Sequence, residues 1–170
     1  MTRRMGLSIS AVLALLALAA CDKVDKPTSD STPPALTWHV ENRTQSTAAD
    51  YPATGATITG AKGDEFRVTL TAKDPEGIHK ITEGGGYVRS CISGDLGQSA
   101  NGDFAPQTQT LNPDAEGKVL TSIFLINSYD PDITCNSGFN WTGTTITLDG
   151  TGTNYFSGTT NGSISITVKP

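Results

Sequence analysis

Short segments in which apolar and polar residues alternate constrain the fold of this 170-residue chain more than any other feature of its sequence. Residues 66–72 read FRVTLTA and residues 163–168 read SISITV, and both alternate without a break. Residues 36–40, LTWHV, place their three apolar side chains on one face. Because successive side chains of a strand point to opposite faces of the sheet, this period predicts strands with one buried and one exposed face.

Composition and turn signals extend this prediction along the chain after residue 35. The sequence contains 25 threonines and 18 glycines and has almost no run of strong helix formers after residue 20, so helices are not expected. Residues 119–126 contain the unbroken run Ile-Phe-Leu-Ile, which predicts a central strand. Combinations of Gly, Pro, Asn and Asp that are typical of turns separate the segments at residues 74–77, 84–86, 101–102, 112–114, 130–132, 149–150 and 161–162.

A two-layer β-sandwich is the architecture that these segments predict. Seven to nine short strands fit into residues 36–170, a length that supports one domain with one core. No segment offers the crossover helix that a parallel sheet would need, so the all-β fold is expected to be antiparallel. The glycine triplet at residues 84–86 predicts a bulge or a hairpin loop within this fold.

The N-terminus has the parts of a bacterial export signal. Arg3 and Arg4 form a positively charged head, and the 14 residues 7–20 are apolar or small and carry no charge. A bilayer span takes about 20 residues, so this segment predicts a cleaved signal peptide. Its end, Leu-Ala-Ala-Cys at residues 18–21, resembles the lipobox of bacterial lipoproteins at all four positions.

The lipobox resemblance implies cleavage before Cys21 and acylation of its thiol, with palmitate as a typical chain. Residues 1–20 would be removed, residues 21–35 would form the lipidated Cys and an unfolded tether, and residues 36–170 would form one domain. The expected location is the bacterial cell envelope, as a lipoprotein anchored to the inner or the outer membrane. Asp22 resembles the inner-membrane retention signal of enteric bacteria. A plain secreted protein that is cut at the same bond is the alternative.

The three cysteines fit this interpretation. If Cys21 carries lipid, Cys91 and Cys135 remain, and two cysteines in an oxidising compartment allow one intramolecular disulfide. Closing a loop of about 45 residues would stabilise the fold by roughly 3–4 kcal/mol. A pair of reduced thiols is the alternative.

Two stretches resemble parts of bacterial immunoglobulin-like domains. Residues 68–78, VTLTAKDPEGI, resemble a strand that ends in an Asp-x-x-Gly turn, and residues 154–168 resemble the last hairpin of such domains. The resemblance implies an antiparallel immunoglobulin-like β-sandwich. The chain departs from antibody-type domains because no Trp lies between Cys91 and Cys135.

The sequence gives little support for catalysis or nucleic-acid binding. Without the two arginines of the signal peptide, the mature chain carries ten basic and 17 acidic residues, a net charge of −7, and no basic cluster. His39 and His79 lack partners at the spacing of a zinc site or a catalytic pair. The paired carboxylates that a hydrolase would use have turn explanations. We therefore expect a protein that is not an enzyme and that carries no cofactor besides its covalent lipid.

Calcium is the metal ion that loop carboxylates of this chain would suit. The weak candidate ligands are acidic residues in or beside predicted turns: Asp114, Glu116, Asp130 and Asp132. None of them follows the EF-hand pattern, and turn structure alone is the favoured interpretation.

These observations predict a membrane-anchored, non-catalytic interaction or structural module whose partner is an envelope protein or a glycan. The candidate binding surface consists of aromatic residues near predicted loops: Tyr87, Phe104, Tyr129 and Trp141. Core packing is the alternative role of these side chains. The alternative function is a periplasmic or surface protein that binds small ligands or carbohydrates, and a hydrolase is the third.

Overall fold

A computed structural model describes residues 30–110, 117–126 and 135–170. These residues form nine strands, and no helix occurs in the three ranges. The strands are β1 (Ala35–Asn42), β2 (Thr47–Pro52), β3 (Thr54–Ala61), β4 (Phe66–Lys73), β5 (Ile78–Ser93), β6 (Leu96–Thr110), β7 (Val119–Ile126), β8 (Asn140–Asn154) and β9 (Thr159–Lys169). The prediction of an all-β fold is confirmed.

Two sheets pack face to face, as a β-sandwich requires. Sheet A has the strand order β2-β1-β4-β7, and sheet B has the order β3-β9-β8-β5-β6. Every pair is antiparallel except β3 and β9, which run parallel. This parallel pair needs no crossover helix, because five other strands connect β3 to β9 along the chain.

The core lies between the sheets and consists of the inward side chains of both. Burial alternates along β4 and β9, as the sequence period predicts. Trp38 on β1 is fully buried, and its indole Nε1 donates a hydrogen bond to the carbonyl oxygen of Ala53 at 3.0 Å. The other large side chains that are fully buried include Phe66, Leu70, Ile78, Ile81, Ile146, Leu148, Ile164 and Ile166.

Three predicted turns are wrong, because the residues lie inside strands: residues 101–102 in β6, 149–150 in β8 and 161–162 in β9. Gly150 and Gly162 are paired directly across β8 and β9. A Cβ atom on Gly150 would lie 3.0 Å from the Trp38 ring, and one on Gly162 would lie 3.3 Å from its Nε1. Closer still are Leu70 Cδ2, at 2.4 Å from the Gly150 position, and the Ala53 carbonyl oxygen, at 2.5 Å from the Gly162 position. Close packing, and not a turn, accounts for these two glycines.

The glycine triplet lies within β5, where the strand register shifts between Glu83 and Gly85, so the prediction of a bulge is confirmed. Gly85 has a φ of +146°, and a Cβ atom there would lie 2.1 Å from the carbonyl oxygen of Thr147. Glycine is therefore required at this position.

Residues 30–34, the last part of the predicted tether, contact the sandwich at the end where β1 begins. The Asn154 side-chain amide donates to the Asp30 carboxylate and to the carbonyl oxygen of Thr32, the latter at 3.0 Å. The Thr160 hydroxyl donates to the carbonyl oxygen of Pro34 at 2.6 Å. We call this end of the sandwich, which also contains the turn at residues 74–77, the tether end.

Candidate functional site

Strand β7 lies at the edge of sheet A, so the prediction of a central strand is wrong. Its inward residues Ser122, Phe124 and Ile126 are buried in the core, and its outward residues are exposed. Val119, Ile123 and Leu125 point outward with 50%, 39% and 53% of their surfaces exposed. The unbroken apolar run thus gives the strand two apolar faces, of which the sandwich buries one. We call the outward side chains of β7, together with its free backbone edge, the β7 surface.

The backbone of β7 pairs with β4 on one side, and no strand among the described residues pairs with its other side. Exposed edges of this kind can recruit another strand, and proteins normally protect them with charged residues, prolines, bulges or short length. Strand β7 contains no charged residue, no proline and no glycine in its eight residues, and its register with β4 is unbroken.

The other three sheet edges carry such protection. Edge strand β2 has six residues and includes Asp50 and Pro52. Edge strand β3 has a register shift beside Gly55. Edge strand β6 contains Asp103 and Pro106 and has mostly polar residues. The β7 surface is therefore the one sheet edge of the described structure that lacks these features.

The outer face of sheet A beside β7 is polar and charged. Arg67 of β4 lies opposite Leu125 and contacts Glu41 at 3.7 Å. Glu41 also lies 3.4 Å from His39, which in turn lies 2.7 Å from Asp50. The apolar side chains of the β7 surface therefore form a stripe at the margin of a polar face.

The aromatic residues proposed as a binding surface contact the core. Tyr87 and Phe104 are partly buried, with ring centroids 5.9 Å apart, and Phe104 packs edge-on against Phe124 at 5.3 Å. Trp141 is also partly buried, its Nε1 donates to the Thr144 hydroxyl at 3.0 Å, and Lys62 Nζ lies 5.8 Å from its ring centroid.

Tyr87, Phe104 and Trp141 thus pack against the core, which is the alternative role that the sequence analysis gives them. A binding role for these residues stays a prediction. Tyr129, Asp114, Glu116, Asp130, Asp132 and Cys21 lie outside the described residues.

A disulfide joins Cys91 of β5 to Cys135, which precedes β8, across a sequence separation of 44 residues. The predicted pairing is confirmed. Cys91 is buried. The disulfide links the segment that leads into β8 to the end of β5, near the turn that connects β5 to β6. It is not the inter-sheet bond of antibody domains, because Cys91 and β8 belong to the same sheet.

The outer face of sheet B has a depression of about 200 Å³ where β5 lacks a side chain at Gly86. Its lining includes Val88, Asn101, Asp103 and Thr145. These residues provide hydrogen-bonding groups and one apolar wall. The face around it is rich in hydroxyl groups, since the outward residues of β8 and β9 are mostly threonine and serine.

Glu83 is a carboxyl group inside the sandwich. It lies on β5 with no exposed surface, and neither of its carboxylate oxygens has a hydrogen-bond partner among the described residues. Burial raises the pKa of Glu83 from 4.5 to about 7, and the neighbouring Ser122 hydroxyl acts in the opposite direction with a smaller effect. The Ser122 oxygen also lacks a partner at hydrogen-bond geometry, so we regard desolvation as the cause of the raised pKa.

At the tether end, three carboxyl groups approach one another. One oxygen each from Asp30, Asp74 and Glu76 lies within 4.8 Å of the other two. The sequence shows Asp74 and Glu76 as a pair in one turn. It gives no sign that Asp30, 44 residues earlier by number, joins them.

Neither a scan against protein-family models nor a search of curated proteins finds a match to this chain. Within the ranges that the structure describes, no helix has the length and apolar character needed to cross a membrane.

Proposed function

We propose that the protein is a membrane-anchored, non-catalytic interaction module of the bacterial cell envelope, and that the β7 surface binds an extended segment of another envelope protein. The observation that carries this proposal is the unprotected edge of β7, with its three exposed apolar side chains. Binding by strand addition uses the free backbone groups of an edge for affinity and alternate side chains for specificity. The β7 surface offers both.

Burial of apolar surface and pairing of backbone groups would both favour the binding of a partner strand at this edge. Three large apolar side chains on the outward face of β7 lose contact with water when a partner strand covers them. Unpaired N–H and C=O groups along the eight residues gain protein partners in the same step. The three other edges carry charge, proline or a register shift, so one surface of the described sandwich is open to strand addition.

The lipobox supports the anchored location. If Cys21 carries the lipid, nine residue steps separate it from Asp30 at the tether end, which is at most about 32 Å of extended chain. The sandwich would then stay close to the membrane. Strand β7 begins at the tether end, since Val119 pairs with Lys73 and Lys73 pairs with Ala35.

We further propose that the sandwich belongs to the immunoglobulin-like class. In sheet B, the order β9-β8-β5-β6 corresponds to strands G, F, C and C′ of a variable-type domain, and in sheet A the order β1-β4-β7 corresponds to A, B and E. Strand β2 pairs with β1 and has no counterpart in that scheme. The position of the disulfide and the placement of Trp38 on β1 also depart from antibody-type domains.

Site-specific photo-crosslinking in the native membrane tests the proposed function. A crosslinker at Thr121, which points outward from the middle of β7, is expected to capture one recurring envelope protein. Capture should disappear when Ile123→Lys or Leu125→Lys is added, because the added charge would be buried by the partner strand. A crosslinker at Thr108 on edge strand β6 is the matched control. Capture that is unaffected by both lysines, or that is equal from Thr108, would contradict the proposal, and capture of a second copy alone would replace it with self-association.

The depression on sheet B favours a second candidate, a binder of small polar ligands such as carbohydrates. Its lining combines Asn101, Asp103 and Thr145 with an apolar wall from Val88. This candidate predicts a saturable rise of the melting temperature with a glycan or a peptidoglycan fragment, and loss of that rise in Asp103→Asn. No rise with any fragment in the natural protein would rule it out.

A further inference from the structure

We propose that Asp30, Asp74 and Glu76 form a calcium site at the tether end, and that the bound ion fixes the tether to the sandwich. The inference does not depend on the β7 surface and goes beyond the proposed interaction function. Its first support is the mutual approach of three carboxylate oxygens within 4.8 Å. None of the ion pairs within residues 30–110, 117–126 and 135–170 involves any of these three residues.

The second support is an unsatisfied oxygen on Asp74. Only 2% of the Asp74 surface is exposed, and Oδ2 has no hydrogen-bond partner among the described residues. Every other polar group of Asp74 is engaged. Its N–H donates to the Lys118 carbonyl at 3.0 Å, its carbonyl accepts from Gly77 at 3.2 Å, and Oδ1 accepts from the Glu76 N–H at 2.9 Å.

A buried carboxylate oxygen without a donor is costly unless a cation or a donor approaches it. Two of these bonds hold the backbone of Asp74, and the third, from the Glu76 N–H to Oδ1, orients its side chain, so the carboxylate cannot turn outward without losing that bond. The orphan oxygen therefore points to a ligand that completes the site.

Asp30 is held at this site by the buried side chain of Asn154. The Asn154 amide donates to the Asp30 carboxylate, and Asn154 itself is fixed because its Oδ1 accepts from the N–H groups of Phe156 at 3.0 Å and Gly158 at 2.8 Å. The Asp30 Oδ1 accepts from the Thr32 N–H at 2.8 Å. These hydrogen bonds therefore hold the Asp30 carboxylate in place beside Asp74 and Glu76.

The three carboxylates suit calcium better than magnesium because of the geometry that each ion demands. Ca²⁺ binds carboxylate, carbonyl and water oxygens at about 2.3–2.6 Å in a flexible geometry, so oxygens that lie within 4.8 Å of one another can surround it. Mg²⁺ demands a near-ideal octahedron and gives up its waters reluctantly, so three carboxylates from separate parts of the chain suit it less well. Waters would complete the six to eight ligands that Ca²⁺ takes.

The bound ion would change how the sandwich is connected to its anchor. Asp30 belongs to the tether, whereas Asp74 and Glu76 belong to the turn between β4 and β5. One ion that binds all three therefore joins the two parts of the chain. Without it, three negative charges repel one another at this junction. Residues 30–34 would thus be held more firmly against the sandwich with calcium bound.

Calorimetric titration and thermal unfolding test this site. The full protein, purified from membranes in detergent and freed of divalent ions with a chelator, is titrated with CaCl₂ and separately with MgCl₂. We expect one Ca²⁺ per chain and a rise of the melting temperature at millimolar CaCl₂. Asp74→Asn and Glu76→Gln should each weaken binding by at least about tenfold. Asp149→Asn, which removes one charge from the exposed face of β8, should leave binding unchanged.

Hydrogen exchange supplies the readout for the tether. Calcium should slow amide exchange at residues 30–34 in the natural protein and should not do so in Asp30→Asn. Asp74→Asn keeps the Oδ1 that accepts from Glu76, and Glu76 is half-buried, so at least one of the two variants is expected to fold. No saturable binding below about 10 mM CaCl₂, equal binding by the variants and the natural protein, or an equal effect of MgCl₂ would overturn the assignment.

Discussion

Replacing Glu83 by Gln is expected to remove a pH dependence of stability that this one buried carboxyl group imposes on the sandwich. Burial raises the pKa of Glu83 from 4.5 to about 7 in the folded protein, whereas the unfolded chain returns the group to water. Between these two pH values the folded protein holds a proton that the unfolded chain has released. The free energy of unfolding therefore falls as the pH rises through this window and levels off above about pH 8.

The size of this loss follows from the pKa difference. Each pH unit between pKa 4.5 and a pKa of about 7 corresponds to 1.36 kcal/mol, so the total is about 3 kcal/mol. Domains of this kind have about 5–15 kcal/mol of stability, so Glu83 alone would decide a large share of it. Gln has nearly the same shape and no charge, and it should avoid the loss.

Chemical unfolding in urea at pH 5, 6, 7 and 8.5 measures this effect. The difference in unfolding free energy between Glu83→Gln and the natural protein should be small at pH 5 and should reach about 3 kcal/mol in favour of the variant at pH 8.5. Asp149→Asn on the exposed face of β8 controls for the removal of one negative charge. A difference that is the same at pH 5 and pH 8.5 would refute the reasoning, because it would mean that Glu83 holds the same charge throughout.

Three further predictions concern covalent links and packing. Replacing both Cys91 and Cys135 by Ser should lower the free energy of unfolding by about 4 kcal/mol, because the bond closes a sequence separation of 44; a loss below about 1 kcal/mol by urea unfolding would contradict this. Gly150→Ala should destabilise the protein by about 1–3 kcal/mol, because its Cβ would lie 2.4 Å from a side chain of the other sheet. Gly97→Ala, which meets open space, should change little in the same assay, and equal losses would argue against the packing explanation. Cys21→Ser should remove the covalent lipid that mass spectrometry is expected to find on the natural protein, and a natural mature chain whose mass lacks any acyl group would exclude the lipid anchor.

Local sequence period predicted the strands well where one face is buried. Residues 66–72 and 163–168 alternate in sequence, and they form β4 and β9 with alternating burial. The reason is local, because the two-residue period of a strand fixes which side chains share a face. The cysteine count predicted the disulfide for a similar reason, since the predicted lipidation of Cys21 would leave one possible pair.

Glycine-containing dipeptides misled the assignment of turns. At residues 149–150 and 161–162 the sequence has the residues of a turn, yet both pairs lie within long strands. Their glycines provide room for Leu70, the Ala53 carbonyl and the Trp38 indole, which come from distant parts of the sequence. A short stretch of sequence carries no information about what packs against it.

The sequence by itself determined the type of secondary structure, the faces of the best strands and the cysteine pair, because each depends on residue type and on local spacing. The export signal stays a prediction from the sequence. Only the tertiary structure decided that residues 119–126 form an edge strand with an exposed apolar face. It also decided that Glu83 is buried and that Asp30 meets Asp74 and Glu76. These features depend on the order of strands in each sheet and on contacts between residues far apart in the chain. Many strand orders satisfy the same local pattern, and the packing of the two sheets selects one of them.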